Sequence, residues 1–301
     1  PKYNVGISGL NHGAMTGQML EKIEEVLQIE KPSALVVYGD TNSTIAGALA
    51  AKKFGILVIH VEAGLRSFNM NMPEEINRVV TDRVSDLLLC PSETAIQNLK
   101  KEGFDNFDVK ITNCGDIMKD AVEYYGQISS KKSSIIHDLN LSDFVLATIH
   151  RQENTNNIEK LSAIFNGLEE IHTNCQVVMT LHPRTRKILE REGMTPKITL
   201  IDPVGYFDML ELLKNCQLVI TDSGGLQKEA FFNKKHCLIA RDETEWTELV
   251  DRGYAKIVGS DKDQMLSVYH EIKKRKTNFS EDLYGTNVGE KIHNEIVSIL
   301  A

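Results

Sequence analysis

The sequence predicts an α/β protein with two domains, each built on a parallel, doubly wound sheet. Three observations predict this fold class. The chain has 301 residues, too many for one ordinary hydrophobic core. Apolar runs typical of strands alternate with stretches of helical periodicity, which indicates successive strand and helix units. Between Tyr125 and Leu141 the chain turns polar, which indicates the region of a domain boundary.

Strands and helices alternate in the first half of the chain. Apolar residues at helical spacing predict a helix from Gly13 to Glu30, and Lys31-Pro32 ends it. Pro73 suits the first position of a later helix. The other predicted elements of this half are a strand at 34–38, a helix at 45–54, a strand at 56–61, a helix at 73–84, a strand at 87–90, a helix at 93–101 and a strand at 109–113.

The second half repeats the alternation without an internal sequence repeat. Its predicted strands are 144–149, 177–181, 198–201, 218–220 and 237–240, and its predicted helices are 158–171, 207–214, one from Leu226, 264–273 and 289–300. We therefore divide the chain into an N-terminal domain (1–125), a C-terminal domain (126–286) and a final helix (287–301) that packs back on the first domain.

Composition excludes several functions. The chain is 42% apolar, has a net charge of −8 and contains no apolar run long enough to span a bilayer. Non-specific nucleic-acid binding needs a basic face, so neither nucleic acid nor membrane is an expected partner. No secretory leader is recognisable, which predicts a cytoplasmic location. The five cysteines form no Cys-x-x-Cys pair, so reduced thiols are expected.

Acidic and basic residues gather in 60–78, which follows a predicted buried strand. In a parallel sheet, ligands bind outside the carboxyl ends of the strands, and Glu62, Arg66, Glu74 and Arg78 would all lie at that edge. This set suggests acid/base chemistry beside an anionic substrate, although surface salt bridges are the alternative. Asp40 lies at the same edge, where an Asp is also a common helix cap.

The strand ends of the second half carry basic residues, although the protein is acidic. Six basic residues follow predicted strands, namely His150, Arg151, His182, Arg184, Arg186 and Arg241. This concentration of basic residues favours a phosphate-bearing ligand. Ser223, Gly224 and Gly225 open a helix, where backbone amides can bind an anion. Glu229, one turn further, could hold ribose hydroxyls or be a plain surface residue.

Cofactor and metal signatures are not found. No Gly-x-Gly-x-x-Gly follows a strand and no Gly-Lys-Ser/Thr is present, so neither a dinucleotide cofactor nor a P-loop is predicted. His60 and Glu62 could be paired metal ligands, but no third nearby His or Cys completes a site. We therefore predict no cofactor and no metal.

Five motifs together resemble the non-hydrolysing UDP-N-acetylglucosamine 2-epimerases, in the same order and along the whole chain. They are Gly39-Asp40-Thr41, His60 to Arg66, Pro73 to Arg78, His150 to Asn154 and Thr221 to Gly225. Within that family, the segments 65–78, 201–206 and 242–246 look similar to the branch that acts on UDP-2,3-diacetamido-2,3-dideoxy-glucuronate for O-antigen synthesis.

The resemblance implies two Rossmann-like domains facing a cleft, the GT-B arrangement, with the sugar on the N-terminal side and UDP on the C-terminal domain. It implies a homodimer and a UDP-sugar substrate inverted at C2 by elimination and re-addition of UDP, without a redox cofactor. Family members begin with a strand and a Gly-x-Arg-Pro loop. Nothing before Gly13 matches that start, so we expect the N-terminal domain to lack its first strand and loop.

Carried over by motif, the resemblance assigns catalytic roles to Asp40, Glu62, Glu74 and His150. The resemblance implies substrate binding by Arg78, Ser223, Gly224, Glu229 and, as a weaker phosphate candidate, Arg241. The positions after predicted strands add four further substrate-binding residues, namely His182, Arg184, Tyr206 and Gly225. Two rival hypotheses remain: a glycosyltransferase of the same fold, which the 60–78 stretch disfavours, and a silent UDP-sugar-binding module.

Overall fold

The computed structural model describes all residues, 1–301, as ten strands and fourteen α-helices. The strands are β1 (Ala34–Tyr38), β2 (Leu57–Val61), β3 (Leu87–Cys90), β4 (Lys110–Asn113), β5 (Phe144–Thr148), β6 (Gln176–Thr180), β7 (Thr199–Ile201), β8 (Leu218–Thr221), β9 (His236–Ile239) and β10 (Ala255–Ile257).

The helices vary from four to nineteen residues in length. They are α1 (His12–Glu30), α2 (Asn42–Lys53), α3 (Pro73–Val84), α4 (Glu93–Lys101), α5 (Ile117–Ser129), α6 (Ile135–Asp138), α7 (Gln152–Thr155), α8 (Ile158–His172), α9 (Pro183–Glu192), α10 (Tyr206–Asn215), α11 (Gly224–Phe232), α12 (Thr247–Asp251), α13 (Lys262–Lys274) and α14 (Val288–Leu300). None of them is long and apolar enough to cross a membrane.

Two compact units make up the chain. The N-terminal unit comprises Pro1–Asp120 and Asp282–Ala301, and the C-terminal unit comprises Ala121–Glu281. The first holds a four-stranded parallel sheet in the order β1-β2-β3-β4, and the second a six-stranded parallel sheet in the order β10-β9-β8-β5-β6-β7. The predicted fold class, two parallel-sheet α/β domains, is confirmed.

The central strands are apolar because helices cover both faces of each sheet. In the N-terminal unit, β3 is buried throughout, and α14 adds Val288 and Ile292 to the cluster formed by β2 and β3. In the C-terminal unit, β5, β8 and β9 are buried throughout. Each buried strand is followed directly by polar residues at its carboxyl end. Those polar residues lie at the ligand-facing edge of the sheet.

The sequence did not predict six elements, namely α5, α6, α7, α9, α12 and β10. The polar residues 127–134 indicate a domain boundary and overlap the end of α5, which obscures the amphipathic pattern of this helix. Helix α9 begins at Pro183, with the His182 side chain accepting from the Arg184 amide, but it buries only three residues. Strand β10 has three residues and includes Lys256, which leaves too short an apolar run to recognise.

Candidate active site

Asp40 and Glu62 follow neighbouring strands, β1 and β2, in the N-terminal unit. Glu62 has a φ of +76°, which is unusual for a residue with a side chain, and its amide donates to the Leu89 carbonyl at 3.0 Å. A Cβ built on Gly39 would lie 3.5 Å from Oε2 of Glu62. The turn that carries Asp40 therefore runs directly beside the Glu62 carboxylate.

Arg78 is held between two carboxylates. Its Nε and Nη2 donate to Oδ2 of Asp40 at 3.1 and 2.5 Å, and its Nη1 donates to Oε2 of Glu75 at 2.8 Å. Arg78 is 2% exposed and Glu75 1% exposed, whereas the Asp40 side chain is 28% exposed. Asp40 thus keeps an accessible surface while its position is set by a buried guanidinium.

Glu75 organises the loop that precedes α3. Its carboxylate accepts from the amides of Ser67 and Phe68 at 2.9 and 2.8 Å, and from the Ser67 hydroxyl at 3.0 Å. Glu74, the neighbouring residue in the first turn of α3, is only half-buried. Of the two adjacent glutamates, Glu75 supports the loop and Glu74 is the one within reach of solvent.

A buried charge network lies behind these residues, and its centre is Asp82, which no sequence motif indicated. The Asp82 carboxylate accepts from His60 Nδ1 at 2.7 Å, from Arg66 Nη1 at 2.7 Å and from the Gly64 amide at 3.1 Å. Arg66 in turn donates from Nε and Nη2 to the two oxygens of Glu102. Arg66 is therefore a buried structural residue.

The C-terminal unit contains a pocket of about 290 Å³ at the carboxyl ends of β5, β6, β7 and β8. It combines imidazole, hydroxyl and carboxylate groups with an apolar wall, and its lining residues are Thr148, His150, Thr180, His182, Pro203, Val204, Met209, Ser223, Gly225, Leu226 and Glu229. The N-terminus of α11, with Ser223 as its N-cap, borders this space. A helix N-terminus carries amides without intrahelical partners and a partial positive charge.

Asp222 fixes one wall of the pocket. It is fully buried and accepts from the His150 amide at 3.0 Å, the Arg151 amide at 2.9 Å and Asn154 Nδ2 at 3.0 Å. The sequence pointed to Asp222 only as part of a motif, since its partners lie about seventy positions away. This carboxylate holds the turn after β5 in the shape that presents His150.

His150 and His182 stack, with ring centroids 5.3 Å apart and an angle of 30° between the rings. Nδ1 of His150 lies 3.5 Å from Asp222 Oδ1. Burial lowers the pKa of His150, and the charges of His182, Arg151 and Arg184 lower it further against the opposing effect of Asp222. A neutral imidazole that can accept a proton is the result.

The remaining predicted residues differ in their placement. Gly224 begins α11, and a Cβ there would meet Glu245 Oε1 at 2.2 Å, so a side chain at this position would displace the Glu245 carboxylate. Tyr206 begins α10, and burial together with the charges of Glu229 and Tyr125 raises its pKa to about 12. Arg184 is exposed in the first turn of α9.

Arg241 is buried and does not line the pocket. Its Nη1 donates to Glu245 Oε2 at 3.0 Å, and Lys228 lies with its Nζ 4.0 Å from the centroid of the Trp246 ring. This packing supports the turn around Gly224 from behind. The contact gives Arg241 a structural partner, and its role as a phosphate ligand stays a prediction.

Replacing Arg184 with Gln is expected to raise the pKa of His150, because one of the positive charges that disfavour the imidazolium is removed. Titration of His150 by nitrogen NMR measures the change. Lys187→Gln removes an exposed charge from the same helix and is the control. An unchanged or lowered pKa of His150 in the Arg184 variant would contradict the electrostatic explanation.

The lowered pKa of His150 also affects stability. Because the folded state binds this proton less tightly than the unfolded chain, His150 makes the protein less stable as the pH falls below about 6.5.

Comparison with known proteins gives a consistent result. A family model described as UDP-N-acetylglucosamine 2-epimerase matches residues 1–299. A Pseudomonas aeruginosa protein named UDP-2,3-diacetamido-2,3-dideoxy-D-glucuronate 2-epimerase is 51% identical over 267 residues, which are 88% of this chain and 75% of that protein. A Methanocaldococcus jannaschii UDP-N-acetylglucosamine 2-epimerase is 41% identical over 97% of this chain and 82% of its own length.

Solved structures agree. The M. jannaschii UDP-GlcNAc 2-epimerase in complex with UDP-GlcNAc and UDP superposes with a TM-score of 0.93 and 41% identity, covering 99% of this chain and 84% of that one. The complex of Staphylococcus aureus MnaA with UDP gives a TM-score of 0.86 at 30% identity, covering all of this chain and 83% of that one.

Proposed function

Because the chain belongs to the UDP-N-acetylglucosamine 2-epimerase family, we propose that it inverts C2 of a UDP-linked 2-acetamido sugar and retains the product as a UDP-sugar. The family resemblance predicted from the motifs is confirmed, and the named relatives are epimerases, which are isomerases. The match over residues 1–299 is the observation that carries the proposal. The first candidate substrate is UDP-N-acetylglucosamine. The 51% identity with the P. aeruginosa protein favours UDP-2,3-diacetamido-2,3-dideoxy-glucuronate as the second.

In the proposed reaction the C2–H and C1–O bonds break, which gives a 2-acetamidoglycal, UDP and one proton. UDP then adds back at C1 while a proton reaches the opposite face of C2. Removal and return of a proton on opposite faces require more than one acid/base group. Asp40, Glu62 and Glu74 are the proposed carboxylates for this purpose, with Arg78 holding Asp40 in place.

The pocket of the C-terminal unit is the proposed UDP site. Ser223, Gly224 and Gly225 at the start of α11 suit a diphosphate, because a helix N-terminus attracts anions. Glu229 is proposed to bind the ribose hydroxyls, and Tyr206 and Arg184 to contact other parts of the nucleotide. His150, stacked on His182, is proposed to take up a proton from solvent when the diphosphate binds, and its positive charge then stabilises the negative charge that develops on the leaving UDP.

The proposal is tested by incubating the protein with each candidate sugar nucleotide in D₂O. Deuterium is expected at C2, with interconversion of the gluco and manno forms and no net loss of UDP-sugar. No exchange with either sugar would contradict the proposal. Final release of free sugar and UDP would indicate a hydrolysing enzyme. Release of UDP only when an acceptor is present would indicate a glycosyltransferase, and binding without exchange a silent module.

Replacing Glu229 with Ala is expected to raise the KM for the UDP-sugar by about 10-fold, because one hydrogen-bonded charged contact is lost, with little change in kcat. Steady-state kinetics measure both constants. Glu190→Ala, which removes an exposed glutamate from α9, is the control. An unchanged KM would argue against the ribose role.

We further propose a homodimer that works in the cytoplasm, in the synthesis of surface polysaccharides such as O-antigen. All five cysteines are free and buried, which is compatible with a reducing compartment. Size-exclusion chromatography with light scattering tests the dimer, and a mass of one chain would contradict it.

A further inference from the structure

His60 is the one polar side chain in the buried strand β2, and both of its ring nitrogens contact hydrogen-bond acceptors. Nδ1 lies 2.7 Å from Oδ1 of Asp82, and Nε2 lies 2.8 Å from the carbonyl oxygen of Gly39. The imidazole is fully buried, as is the Asp82 side chain. A carbonyl oxygen can only accept, so Nε2 must carry a hydrogen.

The second nitrogen must carry one as well. The other oxygen of Asp82 accepts from the Gly64 amide and from Arg66 Nη1, so both oxygens of this carboxylate face donors. Burial opposes ionisation, but His60 and Arg66 outweigh it and hold the pKa of the Asp82 carboxyl below its usual range. Nδ1 of His60 therefore donates to Oδ1 of Asp82 while Nε2 donates to the Gly39 carbonyl, so the contact geometry places a hydrogen on each ring nitrogen. Glu102 balances the remaining charge of Arg66.

We propose that His60 is a positioning residue, whose ring donates to Asp82 on one side and fixes the Gly39 carbonyl on the other, and thereby holds Asp40 beside Glu62. Both backbone polar groups of Gly39 are hydrogen-bonded. Its amide donates to the Val61 carbonyl at 3.1 Å, and its carbonyl accepts from His60. Asp40 is the next residue after Gly39, and Glu62 the next after Val61. The contact therefore sets the separation of two carboxylates on neighbouring strand ends.

The inference rests on the proposed function in one respect, that Asp40 and Glu62 act in the same reaction. Acid/base groups must be placed accurately, and a misplacement of about 1 Å can cost roughly 100-fold in rate. A rotated Gly39 peptide would displace Asp40 by such a distance while leaving the pocket of the C-terminal unit intact. Turnover and nucleotide affinity should therefore respond differently to changes at His60.

Two substitutions separate the contacts of His60. The amide nitrogen of Asn occupies the place of Nδ1, and that of Gln occupies the place of Nε2, so His60→Asn keeps the Asp82 contact and His60→Gln keeps the Gly39 contact. Both remove the positive charge. We expect kcat to fall about 100-fold in His60→Asn and less than about 10-fold in His60→Gln, with UDP affinity unchanged in both. Equal losses in the two variants, or full activity in His60→Asn, would overturn the proposal.

A matched control and a second measurement complete the test. His236 is a buried histidine on β9, with Nδ1 at the Tyr254 carbonyl and Nε2 at the Thr277 hydroxyl, and it lies outside the proposed site. His236→Gln should lower the thermal midpoint without changing kcat. Nitrogen NMR of the unaltered protein at the pH of the assay should show a hydrogen on each ring nitrogen of His60, because each nitrogen faces a hydrogen-bond acceptor. A ring nitrogen without a hydrogen would contradict the proposal. This result can be read even if both His60 variants fail to fold, and even if the unaltered protein exchanges no C2 hydrogen.

Discussion

Glu62→Gln is expected to abolish proton exchange at C2 of the UDP-sugar while leaving UDP affinity within a few fold of its original value. Glu62 lies at the end of β2 in the N-terminal unit, whereas the proposed UDP pocket belongs to the C-terminal unit. Glutamine retains the length of the side chain but cannot take up a proton at the pH of the assay. Loss of one acid/base group commonly reduces the rate by about 10²- to 10⁴-fold.

The experiment has two readouts and one control. Deuterium incorporation measures the chemistry, and calorimetric titration with UDP measures binding. Glu21→Gln makes the same change at an exposed position of α1 and should alter neither. A large loss of UDP affinity would reassign Glu62 to the nucleotide, and normal exchange would remove it from the catalytic set.

Asp222→Asn is expected to lower the free energy of unfolding of the C-terminal unit by about 3 kcal/mol, because donors then face an amide group in a fully buried position. The amides of His150 and Arg151 and the side chain of Asn154 all donate to this carboxylate. An NH₂ group in its place must oppose at least one of them. The turn that presents His150 would shift, and both UDP affinity and turnover should fall.

Urea denaturation followed by fluorescence measures the stability of this variant, and UDP titration measures the pocket. Asp263→Asn, an exposed change on α13, should stay within about 0.5 kcal/mol of the unaltered protein. An Asp222 variant with unchanged stability and unchanged UDP affinity would show that the turn after β5 does not depend on this carboxylate.

The architecture was predictable because each central strand is a short apolar run and each ligand-facing turn begins with polar residues. Asp40, Glu62 and His150 could be placed at strand ends by that rule alone. Helix α9 was missed since its apolar side contains little more than Ile188 and Leu189. Local sequence patterns predict elements well when the apolar face is wide, and poorly when it is narrow.

The supporting residues were harder to predict than the site itself. Asp82 and Asp222 are buried carboxylates whose partners come from distant parts of the chain. In sequence each resembles an ordinary surface or turn aspartate. The role of Asp222 depends on β5 and β8 being neighbours, and sheet order is not evident from the local pattern. The role of Asp82 depends on how α3 packs against β2 and the loop that joins them. Arg241 illustrates the converse, since a basic residue at a strand end proved to be directed at Glu245.

Helix α3 buries polar side chains and exposes an apolar one, the opposite of an ordinary amphipathic helix. Its buried positions are all polar, namely Glu75, Asn77, Arg78, Thr81 and Asp82, while Ile76 is 42% exposed. Engineering for heat resistance commonly enriches the interior in hydrophobic side chains. Applied to α3, that strategy would replace the ion pairs that hold Asp40 and His60. Substitutions intended to raise the thermal stability of this protein should therefore be placed in the apolar core beneath α8 and α13.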